Sequence, residues 1–175
     1  MTEDEISTTP LLHDGRGFVV SYDTNMWALK LDDGDLLWKY ATQGGIASSP
    51  VVNSNAGLVL FGSEDFTFNA LNYRTGKMQW SYTTKDRIRS SPSMSMDFVF
   101  FGSDDGYLYA LLSSNGQMRW SYDGGAAIRT TPTVAEDIII FGNDLGEVQA
   151  VPLAGERKWT YRGKRGIESS PVVDE

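Results

Sequence analysis

The stretch Ala70-Leu71-Asn72-Tyr73-Arg74-Thr75-Gly76-Lys77-Met78-Gln79-Trp80 decides how this chain is read, because its frame returns. Ala28, Gly34 and Trp38 keep the same spacing, as do Ala110, Gly116 and Trp120. Ala150, Gly155 and Trp159 form a fourth copy that is one residue shorter, so its turn is expected to differ. The four tryptophans lie 42, 40 and 39 residues apart, and each precedes a tyrosine by two positions (Tyr40, Tyr82, Tyr122, Tyr161). A second marker runs in phase: Thr8-Thr9-Pro10, Ser48-Ser49-Pro50, Ser90-Ser91-Pro92, Thr130-Thr131-Pro132 and Ser169-Ser170-Pro171. A period near 40 residues means one supersecondary unit copied along the chain.

The unit at residues 46–83 divides into four strand-length runs. Ile46 to Val52 is short and β-rich, and a polar turn over residues 53–56 follows. Gly57 to Ser63 is a continuous apolar run broken by Glu64-Asp65, and Phe66 to Leu71 is the third run. After the turn at Arg74 to Gly76, Met78 to Tyr82 alternates as the fourth. Four short strands with polar connections make an antiparallel meander. No segment shows sustained helical periodicity. One small sheet cannot hide both of its apolar faces, whereas sheets stacked around an axis cover each other. Small Ala and large Trp at fixed places suit that interlock. The expected fold is therefore an all-β propeller arc.

These residues resemble the tryptophan-docking motif of the pyrroloquinoline-quinone (PQQ)-type β-propeller repeat. The resemblance implies that each Trp packs on the backbone of the next blade, where its indole N–H meets a carbonyl. Ala28, Gly34, Trp38, Ala70, Gly76, Trp80, Ala110, Gly116, Trp120, Ala150, Gly155 and Trp159 are then docking residues rather than chemistry. It also places Ser-Ser-Pro-Val-Val on the innermost strand and Trp on the outermost. The blades become about 6–41, 46–83, 88–122 and 128–161, with 167–173 as the inner strand of a fifth. The Ser/Thr hydroxyls are expected to satisfy backbone groups where each inner strand begins. Because propellers of this type close with seven or eight blades, the expectation is a fragment, or a half-propeller that self-associates to complete the ring.

Composition limits the function. The 175 residues are 41% hydrophobic and 22% charged, with a net charge of −8. That balance argues against a nucleic-acid partner and an anionic membrane surface. The absence of cysteine excludes disulfides, thiolate zinc sites and a Cys nucleophile. No apolar run reaches membrane-spanning length, and residues 1–5 lack the character of a signal peptide. The resemblance leans toward an extracytoplasmic setting, periplasmic or secreted, and leaves the compartment open.

The same resemblance raises a quinone-dependent dehydrogenase. Those enzymes pair adjacent cysteines beside the cofactor and carry a calcium ion and a catalytic Asp on long loops. This chain has no Cys and short loops, so no catalytic residue, cofactor or metal is assigned. The single histidine, His13, falls near the turn after the first strand and reads as a surface residue. Asp23, Glu64-Asp65, Asp104-Asp105-Gly106 and Asp144-Leu145-Gly146 lie between second and third strands. They read as turn chemistry, since calcium needs six to eight oxygens and no EF-hand spacing is present.

A basic set remains: Lys85, Arg87, Arg89, Arg129, Arg162, Lys164 and Arg165, on the connections that enter inner strands. Arg89 and Arg129 share the repeat position of Ser7, Ala47 and Glu168. In a propeller these connections crowd the channel mouth, where positive potential suits an anion or acidic peptide. The competing reading pairs them with Asp86, Asp123 and Glu168 or leaves them solvated. The function expected is a non-enzymatic scaffold that binds a protein, an acidic peptide or another ligand. A quinoprotein dehydrogenase fragment is the alternative, and a sensor or regulatory domain appended to a kinase or transporter is a further one.

Overall fold

Each apolar run bounded by polar turn residues forms a strand in the computed structural model, which describes residues 5, 8–167 and 169–172. The first blade comprises β1 (Leu11–His13), β2 (Arg16–Val20), β3 (Asn25–Lys30) and β4 (Leu36–Ala41). The second comprises β5 (Val51–Asn53), β6 (Leu58–Gly62), β7 (Thr67–Asn72) and β8 (Met78–Thr83). The third comprises β9 (Ser93–Ser95), β10 (Phe98–Gly102), β11 (Tyr107–Leu112) and β12 (Met118–Asp123). The fourth comprises β13 (Thr133–Ala135), β14 (Ile138–Gly142), β15 (Glu147–Pro152) and β16 (Trp159–Arg162). Every sheet is a four-stranded meander in sequence order, with antiparallel pairing throughout. No helix occurs among the described residues.

Period-two alternation gives each central strand two apolar faces. Phe18, Val20, Met26 and Ala28 point from the first blade into a core shared with Val59, Phe61, Leu71 and Tyr73 of the second. The two later junctions repeat that arrangement. At the second, the Phe68 and Phe101 rings stack with centroids 4.0 Å apart. The core is thus three layers, one between each pair of successive blades.

The docking motif is built as expected at two junctions. Trp38 Nε1 donates to the Tyr73 carbonyl at 3.0 Å, and Trp120 Nε1 donates to the Leu153 carbonyl at 2.9 Å. Each Trp ring lies on the turn glycine of the next blade. A Cβ at Gly76 would stand 2.7 Å from Trp38 Cδ2, and one at Gly155 would stand 2.8 Å from Trp120 Cδ2. Gly116 meets Trp80 in the same way. These glycines also take positive φ (69° at Gly76), so two separate constraints require the residue. Trp80 departs from the expectation, because its buried Nε1 has no hydrogen-bond partner among the described residues. The four alanines of the motif are fully buried.

Two other features differ from the sequence reading. The inner strands are shorter than Ile46 to Val52 suggested, with the second blade's ladder beginning only at Val51. The serine marker explains this. Ser48 Oγ donates to the Gly62 carbonyl at 3.0 Å and accepts from the Gly62 N–H at 2.7 Å. A side chain takes the place of a ladder partner, and Thr130 does the same for Gly142. The fourth blade's shorter turn also has a cause. Lys30, Asn72 and Leu112 each donate their N–H across the β3–β4-type turn, to Asp35, Lys77 and Gln117. Pro152 stands at that position and has no N–H to give. All four blades pair the motif alanine with its Trp; the first three continue past that pair after a register shift, and the fourth's ladder ends there.

The fifth inner strand expected over 167–173 rests partly on Glu168 and Val173, which lie outside the described residues, as do residues 6 and 7 of the first blade. What is described there continues the repeat. Ile167 N donates to the Asn143 carbonyl, as Ile46, Ile88 and Ile128 do to Ser21, Ser63 and Ser103. Ser170 Oγ accepts from Thr131 N at 2.9 Å, as Ser49 accepts from Thr9 and Ser91 from Ser49.

Candidate binding face

The connections between blades and the turns between each blade's second and third strands meet on one face. Thr42 N donates to Thr24 O, Thr84 N to Phe66 O, Gly124 N to Gly106 O and Gly163 N to Gly146 O. The next blade's turn closes over the same connection, with Glu64 N on Gly45 O, Asp104 N on Arg87 O and Asp144 N on Ala127 O. The aspartates shape these turns. Asp65 Oδ1 accepts from Thr67 N and Asp105 Oδ1 from Tyr107 N, while their Oδ2 atoms accept from Gln43 N and Lys85 N of the connections. Among the described residues no cluster of three His, Cys, Asp or Glu is placed to hold a metal ion.

Across this face runs a row of alternating charge. Arg89 Nε donates to Glu64 Oε1 at 2.7 Å, and its Nη1 reaches Asp104 Oδ2 at 3.1 Å. Arg129 Nε donates to Asp104 Oδ1 at 2.8 Å, and its Nη1 reaches Asp144 Oδ2 at 2.7 Å. The order Glu64, Arg89, Asp104, Arg129, Asp144 ties three blades together. Asp104 is the hub, with its side chain only 8% exposed. The hydrogen bond that Arg89 donates to Glu64 raises its guanidinium pKa above the ordinary range, and the one that Arg129 donates to Asp104 does the same there. The row ends at the second blade because the first carries Tyr22 and Ala47 at the corresponding positions.

The basic residues singled out in the sequence therefore divide. Arg89 and Arg129 are brought together as expected, and both are held in the row. Arg162 pairs with Glu147 at 2.8 Å. Lys85, Arg87, Lys164 and Arg165 are exposed on the connections. No ion pair is recorded for them among the described residues, and Lys85 Nζ sits 5.8 Å from the centroid of the Tyr107 ring. Asp86 and Asp123 serve the backbone instead of the arginines, accepting from Arg87 N and Gly125 N. Glu168 lies outside the described residues. Glu64, Asp104 and Asp144 are thus ion-pair partners as well as turn residues. The signal that identifies them as partners is an acid repeated directly after Ser63, Ser103 and Asn143, in phase with arginines one connection away.

His13 ends β1 and sets its ring edge-on against Tyr73 of the second blade, with centroids 5.0 Å apart. A cavity of about 400 Å³ opens between the third and fourth blades, walled by Tyr122, Glu147, Gln149, Arg157 and Arg162. Its polar groups satisfy one another: Tyr122 Oη donates to Gln149 Oε1, and Gln149 Nε2 donates to Gly124 O and Glu147 Oε2.

The family model described as outer membrane protein assembly factor BamB matches residues 2–93 and 64–174, nearly the whole chain. No curated protein matches the chain. Among solved structures, BamB from Moraxella catarrhalis is similar with a TM-score of 0.78 at 20% identity, over 89% of this chain and 51% of its own. The computationally designed Ika8 protein gives a TM-score of 0.83 at 16% identity, over 94% and 52%. Quinohemoprotein alcohol dehydrogenase from Comamonas testosteroni gives 0.80 at 18%, over 93% and 36%. The chain thus spans about half of the first two and about a third of the last. At these identities the likeness speaks to the fold.

Proposed function

We infer the function from one premise: the chain belongs to the PQQ-type propeller family described as outer membrane protein assembly factor BamB. We propose that it is a non-enzymatic scaffold whose connection face binds a protein through an acidic segment. The observation that carries this reading is the contrast on that face. Arg89 and Arg129 are neutralised within a row of ion pairs, while Lys85, Arg87, Lys164 and Arg165 stand exposed around it. In a chain of net charge −8, four exposed cations on one face form a local attraction against a repelling whole. Such patterning favours orientation and selectivity of encounter. The row beneath includes Arg89 of the connection that carries Lys85 and Arg87, so less flexibility is lost on binding there.

A second reading, a piece of a quinoprotein dehydrogenase, is motivated by the similarity to the alcohol dehydrogenase propeller. The donor set does not fit it. The chain has no Cys, and the carboxylates of the face are engaged with arginines and turn amides. The test uses a fluorescein-labelled oligoglutamate peptide followed by anisotropy at low salt. Replacing Lys85, Arg87, Lys164 and Arg165 together by Ala should weaken binding by at least about tenfold. An unchanged dissociation constant, or no binding by the parent chain, refutes the acidic-segment reading. Titration with PQQ and calcium separates the second reading, since only a quinone site would change the cofactor's absorption spectrum.

A further inference from the structure

The junction between the third and fourth blades departs from the repeat at several places at once. Between the second and third blades the corresponding space is filled. Tyr82 packs on Tyr109 with centroids 5.6 Å apart, Tyr107 lies 6.2 Å from Tyr109, and Tyr82 Oη donates to Met118 Sδ at 3.2 Å. The fourth blade carries Glu147, Gln149 and Arg157 where the third has Tyr107, Tyr109 and Met118. The connection changes too, with Gly124 and Gly125 in the places of Thr84 and Lys85 one blade earlier. Two rings and two side chains are lost, and the cavity of about 400 Å³ opens there. Both of its walls are complete four-stranded blades.

The lining holds cations that the protein itself leaves open. Glu147 is satisfied: Oε1 accepts from Arg162 Nε at 2.8 Å, and Oε2 accepts from Asn143 Nδ2 at 3.2 Å and Gln149 Nε2 at 2.9 Å. Only the Nε of Arg162 is bonded, so its two Nη groups remain available. Arg157 makes no ion pair or hydrogen bond through its side chain among the described residues, and the Thr160 hydroxyl makes no hydrogen bond. Burial raises the pKa of the Tyr122 hydroxyl, and the neighbouring Arg157 cation opposes that rise. The other acid of the lining, Asp123, accepts from Gly125 N through Oδ1.

We propose that this cavity binds one carboxylate group, carried by a small organic acid or by an acidic side chain of a peptide. The Arg157 guanidinium and the Nη groups of Arg162 take the carboxylate oxygens, and the Thr160 hydroxyl donates to the same group. Guanidinium forks match a planar carboxylate. Glu147 positions Arg162 by holding its Nε. Two acids in the lining balance the two arginines, which disfavours a multiply charged anion and suits a single negative charge. The volume falls in the range of about 300–1,000 Å³ usual for ligand pockets. None of Lys85, Arg87, Lys164 and Arg165 lines it, so the site stands without the acidic-segment reading of the connection face.

Proton–nitrogen NMR on the chain labelled at arginine tests this at mildly acidic pH and constant ionic strength. Sodium acetate and, separately, N-acetylglutamate α-amide should shift the Nε–H signals of Arg157 and Arg162 saturably, with millimolar dissociation constants. The signals of Arg89 and Arg129 should stay in place. Tighter binding of the blocked glutamate assigns the site to a peptide side chain, and equal constants assign it to a small acid. Arg157→Met restores the residue type of the third blade at an exposed position and should weaken binding, read at Arg162, by at least about tenfold. Gln149→Tyr refills the space and should abolish it. Circular dichroism and the remaining arginine signals check that both variants fold. Replacing Lys85, Arg87, Lys164 and Arg165 together by Ala should change these constants less than about twofold, so the cavity and the exposed cations stand or fall separately. The absence of a saturable shift, equal shifts with sodium chloride, or undiminished binding by folded Arg157→Met or Gln149→Tyr overturns the proposal.

Discussion

Substituting alanine at two glycines of equal φ separates backbone strain from docking. Gly57 has φ 72° and Gly76 has φ 69°, so alanine pays the same left-handed penalty at either, roughly 1–2 kcal/mol. Around Gly57 a Cβ meets nothing within 4 Å. At Gly76 it falls 2.7 Å from Trp38 Cδ2 and 2.8 Å from Cε3, inside any tolerable contact. The Trp38 ring must move, and it is 9% exposed with its Nε1 fixed on Tyr73 O. Losing that bond from a buried donor costs about 1–3 kcal/mol. Keeping it by overpacking costs a similar amount, so the extra cost of Gly76→Ala over Gly57→Ala is about 2 kcal/mol. For a chain of this size that corresponds to a further fall in Tm of about 4–8 °C. Thermal unfolding followed by circular dichroism reads the difference. Gly116→Ala supplies a graded case, because Trp80 has no Nε1 bond to lose, and its penalty should be smaller than that of Gly76→Ala by about 1 kcal/mol. Equal effects at Gly57 and Gly76 would refute the claim that the turn glycines are selected by the ring above them.

Asp104→Asn removes the charge that both Arg89 and Arg129 share while preserving shape. It should lower stability by about 1–2 kcal/mol in urea unfolding, discounted for the partial exposure of both arginines. The deficit should shrink in molar salt, as screening weakens the parent row. Ser48→Ala should cost about 2–3 kcal/mol, because it strands both the N–H and the carbonyl of Gly62. Ser48→Thr should recover most of that loss, since Thr130 performs the same exchange with Gly142. A Thr variant no better than Ala would mean that packing, not the hydroxyl, sets the requirement.

The docking residues were legible because each reports on a local constraint that recurs. A glycine, an alanine and a tryptophan at fixed spacing reveal a turn, a close approach and a ring that fills it. Blade four's different turn was legible for the same reason, since one missing residue changes the hairpin. The extent of the inner strands was not. Ile46 to Val52 has strand composition, but Ser48 bonds Gly62 through its side chain, and hydrogen bonding of that kind leaves no mark on hydropathy. The orphaned Nε1 of Trp80 is likewise invisible, since its motif is intact.

The charged row shows where repeat reading stops and three-dimensional reading begins. Taken along the chain, Arg89 sits among Lys85, Asp86 and Arg87, and nearest-neighbour logic offers Asp86 as its partner. The fold instead turns Asp86 to the backbone and lays Arg89 between Glu64 and Asp104, which belong to two different blades. The separation in sequence is 25 residues to one acid and 15 to the other, so no local window contains the pair. The repeat still encodes it. Where an acid follows Ser63 or Ser103, an arginine occupies the connection position, and where Tyr22 replaces the acid, Ala47 replaces the arginine. Reading residue types across copies at one repeat position, rather than along one copy, turns an apparent basic patch into a neutralised brace. The binding reading then passes to Lys85, Arg87, Lys164 and Arg165, the cations the brace leaves exposed.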